Sequence, residues 1–174
     1  ANPIKTYQTT SFATGDDGYT QRGRSTDIDT LDFTNPFGNT NRITDTLGVQ
    51  TYANNIYIDW LLYNESERKV YGWYGNYYSG NWNSARAYSL TLVVDGFSNW
   101  FFPNISEMWT AFGRAIPTAM ASTSFTLWSS TSNESNSNNA YRLIRPYSIG
   151  NRAKTDSVME SIMGRIFTLT ELGL

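Results

Sequence analysis

Not one of the 174 residues is a cysteine, and not one is a histidine. The first absence removes disulfides and thiolate metal sites, so the chain must hold itself together by packing and hydrogen bonding alone. At this length a single domain buries roughly 70% of the surface its unfolded chain exposes and needs no staple. The second absence removes the commonest general base, the commonest metal ligand and the usual partner of a nucleophilic serine or cysteine. Ser-His-Asp, Cys-His and histidine-built zinc hydrolases are excluded together.

The formal net charge is −2. No basic stripe is visible, which argues against a nucleic-acid partner. Charged residues make up 16% of the chain, against a usual share of roughly 25%. Aromatic residues also make up 16%, and twelve of them are tyrosines. Few charges with many Tyr, Trp, Asn and Ser is the chemistry of surfaces that bind proteins or sugars or pack into assemblies. The same composition suits a β-rich core with aromatic strands. The start, Ala1 to Lys5, has no apolar signal-peptide segment, and no apolar run approaches a transmembrane span, so membrane insertion is not expected. N-x-[ST] sequons occur at Asn64, Asn104 and Asn133.

Residues 1–24 are polar, with a turn signal at Gly15-Asp16-Asp17-Gly18, and read as an extended N-terminal arm. Such an arm is either a lash to its own domain or a strap to a neighbour. Residues 25–174 read as one domain without repeats. Asn35 to Asn41 is a loop of turn residues. Ile56, Ile58 and Trp60 alternate with polar neighbours, and Val70 to Tyr74 follows a turn at Asn64 to Glu67, so 55–74 is a hairpin. A helix starts at Asn81 as N-cap, carries Trp82, Ala85, Ser89 and Leu92 on one face, and stops at Asp95-Gly96. A second starts near Ser106 with Ile105, Met108, Trp109 and Phe112 as its apolar face. Phe125 to Thr131 is a strand, Ser129 to Asn139 a polar low-complexity loop, and Ala140 to Arg145 a strand. Thr155 to Met163 reads as a short helix and Ile166 to Thr170 as a closing strand.

Several of these stretches, taken together, resemble one family. They are Trp82-Asn83-Ser84-Ala85, Gly96-Phe97-Ser98-Asn99-Trp100-Phe101-Phe102-Pro103 with Glu107-Met108, Leu127-Trp128-Ser129-Ser130-Thr131, and Asn138-Asn139-Ala140-Tyr141. Upstream, Gly15 to Gly23, Arg42 to Asp45 and Asp59-Trp60 fit the same pattern. The pattern is similar to that of the Lcl C-terminal domain-like family, which is named for a collagen-like bacterial adhesin and includes phage proteins. The likeness covers about residues 15–145. It departs where the family has Arg-Leu before the proline and this chain has Phe101-Phe102, and in lacking the cysteine pairs of secreted members. The resemblance implies an α+β, C-type-lectin-like fold: two helices flanking twisted, mostly antiparallel sheets. It implies binding of glycans or host surfaces, sometimes as a trimer, with no catalysis and no cofactor.

The residues sort accordingly. Trp82, Trp100, Trp109 and Trp128 are expected as core pillars anchored by their N–H groups, with Ala85 beside Trp82. Pro103 and Glu107 shape the start of the second helix, where a carboxylate favours the helix dipole. Ser129, Ser130 and Thr131 satisfy backbone groups at a strand end. The run from Tyr71 to Gly80 reads as a glycine-punctuated aromatic loop, and Trp73, Tyr74, Tyr77 and Tyr78 are its ligand-contact candidates; the competing reading gives half of these rings to the hairpin. Asp16, Asp17, Asp27, Asp29 and Asp32 lack the spacing of a calcium loop, and no metal is expected. The leading expectation is a non-enzymatic virion structural protein of a phage, either a capsid decoration or a tail-fibre, receptor-binding component. Its partners are other copies, other virion proteins or a host-surface glycan. Two alternatives stay open: a carbohydrate-binding adhesin of a bacterial surface or filament, and a carbohydrate-active enzyme built on a carboxylate pair.

Overall fold

The computed structural model describes residues 5–6, 8–22, 49–64, 67–112, 126–144, 148–157 and 159–174. It is an α+β structure. Seven strands are described: β1 (Val49–Ala53), β2 (Ile56–Asn64), β3 (Lys69–Ser79), β4 (Thr126–Asn133), β5 (Asn136–Ile144), β6 (Ser148–Ala153) and β7 (Glu160–Thr168). The helices are a single turn, α1 (Asp17–Thr20), and two longer ones, α2 (Trp82–Thr91) and α3 (Ile105–Phe112). A 3₁₀ turn, Thr170–Leu172, follows β7.

The strands form one sheet in the order β1-β2-β3-β7-β4-β5-β6. Two antiparallel meanders, β1-β2-β3 and β4-β5-β6, are joined by β7. β7 runs antiparallel to β3, from Lys69 opposite Thr168 to Ser79 opposite Glu160. Its pairing with β4 is parallel and confined to Leu127 opposite Glu160. Further along that edge, Phe101 and Gly164 exchange both backbone hydrogen bonds, at 2.8 and 3.0 Å. Side chains alternate across a strand, so the sheet carries a core on each face. One holds Ile56, Ile58, Val70, Trp128, Met163 and Phe167 beneath Trp82 and Ala85 of α2. The other holds Tyr71, Trp73, Leu127, Leu143 and Ile162 beneath Met108, Ala111 and Phe112 of α3.

The 55–74 hairpin is present, as is the Asn81 cap, whose side chain accepts a bond from the Ser84 N–H at 2.9 Å. Other expectations need correction. α2 ends at Thr91, before Asp95-Gly96, which instead turns the short Val94–Phe97 bridge. Ser129 to Asn139 is not a loop: it completes β4, turns at Glu134-Ser135 and enters β5. Ser129, Ser130, Thr131 and Ser132 are buried in the sheet, whereas Ser135 and Ser137 stay exposed at and after the turn. Thr155 to Met163 is not a helix. The segment from Glu160 onward is the central strand, buried on both faces, and such a strand shows no period-2 alternation to betray it. Trp109 is 43% exposed, and Ala111 takes the core position on α3. Residues 17–20 of the arm form a helical turn rather than extended chain. The loop 35–41, the strand start at Phe125, Arg42 to Asp45 and the acidic residues Asp27, Asp29 and Asp32 lie outside the described residues.

Candidate functional site

The four ring candidates do not form one site. Tyr71 to Ser79 is strand, not loop, and the period-2 geometry of β3 sends Trp73 and Tyr77 to one face and Tyr74 and Tyr78 to the other. Trp73 is fully buried: its ring packs on Phe112 with centroids 4.9 Å apart, and its N–H donates to Asp59 Oδ2 at 3.0 Å. It therefore has no surface to offer a ligand. The glycine at position 72 is there for packing, since a Cβ would lie 2.4 Å from Cε2 of the Phe167 ring that crosses it.

Tyr74 and Tyr78 stay half-exposed on the α2 side of the sheet. The Tyr74 ring leans on buried Trp100, and its hydroxyl accepts a bond from Asn76 Nδ2 at 2.7 Å. Asn76 is held in turn by Asn55 Nδ2, at 2.9 Å. Tyr78 stacks on Tyr88 of α2, with centroids 4.5 Å apart and planes 19° from parallel. Burial, and then the neighbouring phenols of Tyr74 and Tyr78, push the Tyr88 hydroxyl pKa upward, so it stays neutral through the physiological range. Tyr88 had no signal in the chain beyond its place one turn after Ala85.

The second cluster is buried and charged, and Glu107 is its centre. Glu107 and Asn104 form a reciprocal cap at the start of α3: the Glu107 N–H donates to Asn104 Oδ1 at 2.7 Å, and the Asn104 N–H to Glu107 Oε1 at 2.9 Å. The Asn-x-x-Glu spacing is the signal that could have found this box, in place of the start near Ser106. What the sequence did not reveal are the distant partners. Arg22 grips Glu107 through Nε and Nη2 at 3.0–3.2 Å and donates to the Phe102 carbonyl at 2.7 Å. The Arg22 guanidinium also covers the Phe101 ring, 3.9 Å from its centroid. Tyr71 adds its hydroxyl to Glu107 Oε2 at 2.5 Å. Burial, reinforced by the Glu107 charge, pushes the Tyr71 phenol well above its ordinary value.

The same network fastens the N-terminal segment. Asp17, fully buried, accepts bonds at Oδ2 from Thr6 and, at 2.8 Å, from Thr131, while its Oδ1 has no donor among the described residues. Burial raises the Asp17 pKa more than the two hydroxyls lower it. Thr131 also accepts from the Ile105 N–H at 2.9 Å, so one hydroxyl ties α1, β4 and α3 together. Gln8 accepts from the Ser132 N–H at 2.5 Å and donates to Asp16 Oδ2 at 3.1 Å. Asp16 caps α1 through the Tyr19 N–H at 2.9 Å. Lys154 reaches over the Trp82 ring, 4.0 Å from the centroid, and toward Phe12 at 5.3 Å; burial lowers its pKa against the pull of Asp16. The described part of the arm is thus a lash to its own domain.

The remaining motif residues are pillars. The Trp82 N–H donates to the Ser129 carbonyl at 2.9 Å, that of Trp100 to the Phe97 carbonyl at 2.9 Å, and that of Trp128 to the Gly80 carbonyl at 3.3 Å. Ala85 is fully buried beside them. Pro103 is buried and its carbonyl accepts the Ser130 N–H at 2.7 Å. The Ser129 hydroxyl donates to the Tyr141 carbonyl at 2.9 Å. Asp16 and Asp17 are engaged as caps and ties, and no group of three or more potential metal-binding residues occurs among the described residues. No helix among the described residues is long and apolar enough to cross a membrane. No family model matches the chain, and no curated protein matches it.

Proposed function

We propose that this chain is a non-enzymatic structural protein of a phage virion, a decoration or receptor-binding component built on a C-type-lectin-like domain, that works by presenting a surface for attachment. The observation that carries the reading is how two of the buried carboxylates, Glu107 and Asp16, are used. Glu107 accepts from Arg22, Tyr71 and the Asn104 N–H, which occupies both of its oxygens with donors of its own chain. Asp16 is equally engaged, by Tyr19, Phe12, Gln8 and Ser11. A carboxylate so saturated and cut off from water has no free lone pair for general base or nucleophilic work. Part of the outward chemistry is neutral: half-exposed tyrosines on β3 and α2, and exposed Asn and Ser at the start of β5. The motif resemblance supports the finer reading, because Trp82, Trp100, Pro103, Trp128 and Ser129 converge on a shared scaffold around α2, β4 and the start of α3.

The test uses the full chain. Antibody against it is expected to decorate phage particles from the source culture, and the labelled chain to adsorb saturably to intact cells without releasing sugar. Label on cell-surface filaments moves the reading to an adhesin. Sugar release that stops when one carboxylate is substituted moves it to an enzyme. No labelling and no adsorption removes it.

A further inference from the structure

We propose that the exposed Asp95-Gly96 turn is a self-modification site, where the Gly96 amide nitrogen closes on the Asp95 side chain and leaves isoaspartate in the backbone. The inference goes beyond the attachment reading and stands independently of it.

Asp-Gly occurs twice in the chain, at 17–18 and at 95–96, and the fold treats the two differently. Asp95 and Gly96 are both exposed, and both have positive φ, +52° and +80°. Val94 and Phe97 exchange two backbone hydrogen bonds across them, at 3.0 and 2.9 Å, so the pair is the tip of a two-residue type I′ turn. That pairing leaves the central amide out. The Gly96 N–H has no hydrogen-bond partner among the described residues, and neither has the Asp95 carboxyl. A Cβ at Gly96 would meet nothing within 4 Å, so water reaches the peptide from that side. Turning this one peptide plane over converts type I′ to type II′, keeps φ positive at Asp95, and brings the Gly96 nitrogen beside the carboxyl carbon. Asp17 is the contrast. It is fully buried, its Oδ2 is held by Thr6 and Thr131, and Gly18 is locked in α1 against the Thr10 carbonyl.

The chemistry needs nothing but water. The Gly96 nitrogen bonds to Asp95 Cγ, and its proton leaves with the hydroxyl of the acid as one water, giving a cyclic imide. A second water adds at the Asp95 main-chain carbonyl carbon and breaks its bond to the Gly96 nitrogen. The backbone then runs through Cγ, one carbon longer, and the former main-chain carbonyl is a free carboxyl. Addition at Cγ instead restores aspartate. The lengthened turn no longer matches the Val94–Phe97 pairing. Phe97 is the residue it loosens, a ring that packs edge-on to Phe167 at 5.1 Å and lies under the Arg165 guanidinium at 5.0 Å.

The test ages the full chain at neutral pH and physiological temperature, once folded in buffer and once unfolded in urea. Samples are digested with an endoprotease that cuts before aspartate but not before isoaspartate, and peptide fragmentation locates the change. In the unfolded chain Asp95 and Asp17 are both expected to convert. In the folded chain cleavage before Asp95 is expected to be lost progressively while cleavage before Asp17 persists. An imide lighter by one water should pass through as a transient, and amide exchange at Val94 and Phe97 should rise in the aged protein. Asp95→Asn keeps a residue at ease with positive φ and expels ammonia in place of water, so it is expected to convert faster in the folded chain. No conversion of Asp95 in the folded chain overturns the proposal, because the turn then protects the peptide. Equal conversion of Asp95 and Asp17 in the folded chain also overturns it, because the fold then selects nothing. A folded Asp95→Asn chain that stays intact overturns the imide route.

Discussion

Tyr71 on β3 donates a hydrogen bond from its hydroxyl to Oε2 of Glu107 on α3, 2.5 Å away, while Arg22 closes on the same carboxylate from the N-terminal segment. Three parts of the chain that are 36 and 85 residues apart therefore meet on one side chain. Truncating one partner of a buried ion pair leaves the other charge uncompensated. Glu107→Ala is expected to lower unfolding free energy by about 3 kcal/mol or more, on the scale of broken buried pairs. Glu107→Gln, which keeps an oxygen for the Asn104 N–H, is expected to cost less. Urea unfolding midpoints check both.

The Tyr71 phenol is held well above its ordinary value of 10.0. The unfolded chain loses that proton as pH rises through its ordinary value, while the folded chain keeps it. Stability is therefore complete below that point and falls as pH climbs above it. In Tyr71→Phe the alkaline fall is expected to be shallower, measured as unfolding free energy against pH on the basic side.

Asp17 gives the opposite flank. Its folded pKa is raised above 3.8 by burial, so the folded state holds the proton more tightly than the unfolded one. Its contribution is present in acid and is lost as pH rises through the interval above 3.8. In Asp17→Asn this term is gone. The wild-type advantage over Asp17→Asn is expected to shrink as pH is raised from 4 toward neutrality, a trend read from paired denaturation curves at each pH.

Gly18 lets α1 pack directly on the backbone at Thr10 and so closes the N-terminal segment on itself. A Cβ there would stand 2.1 Å from the Thr10 carbonyl oxygen, a backbone atom that cannot swing aside. Gly18→Ala is expected to free residues 5–22 while the sheet persists. Limited proteolysis should then cut within this segment first, and amide exchange should rise in β4 around Thr131 and Ser132, whose partners Asp17 and Gln8 have left.

Of the three sequons, Asn104 is fully buried and spends its side chain on the α3 cap and on the Arg22 carbonyl at 3.3 Å. A glycosylating expression host is expected to modify at most Asn64 and Asn133, and mass spectrometry of tryptic peptides should find Asn104 bare. Asn104→Ala is expected to cost about 1 kcal/mol as a lost N-cap, because the buried Glu107 N–H loses its side-chain acceptor.

Local signals were legible wherever the cause is local. Asn81 announces a helix start because a cap acts over three residues. The 55–74 hairpin shows because alternation is a nearest-neighbour pattern. What stayed hidden depends on partners far away in sequence. Ser129 to Ser132 look like loop residues until Pro103 and Gln8 take the N–H groups of Ser130 and Ser132, and Tyr141 and Asp17 the hydroxyls of Ser129 and Thr131. Met159, Ile162 and Met163 fit a helical stripe as well as a strand covered on both faces, and only the neighbours β3 and Phe101 decide between them. The ring candidates were chosen as a contiguous run, but pleating separates neighbours and brings Tyr88, ten residues from Tyr78, into their place.

β7 stands last in sequence among the described strands and central in the sheet. On a ribosome, β1-β2-β3 and β4-β5-β6 emerge as two half-sheets before the strand that pairs along β3 and meets β4 at Leu127 exists. Until Glu160 to Thr168 leaves the exit tunnel, β3 and β4 offer ready edges to other nascent chains. Synthesis of this protein should thus pass through an adhesive interval that ends when Glu160 to Thr168 emerges. A stop codon or proteolytic nick before β7 would leave not a shortened domain but two sticky halves.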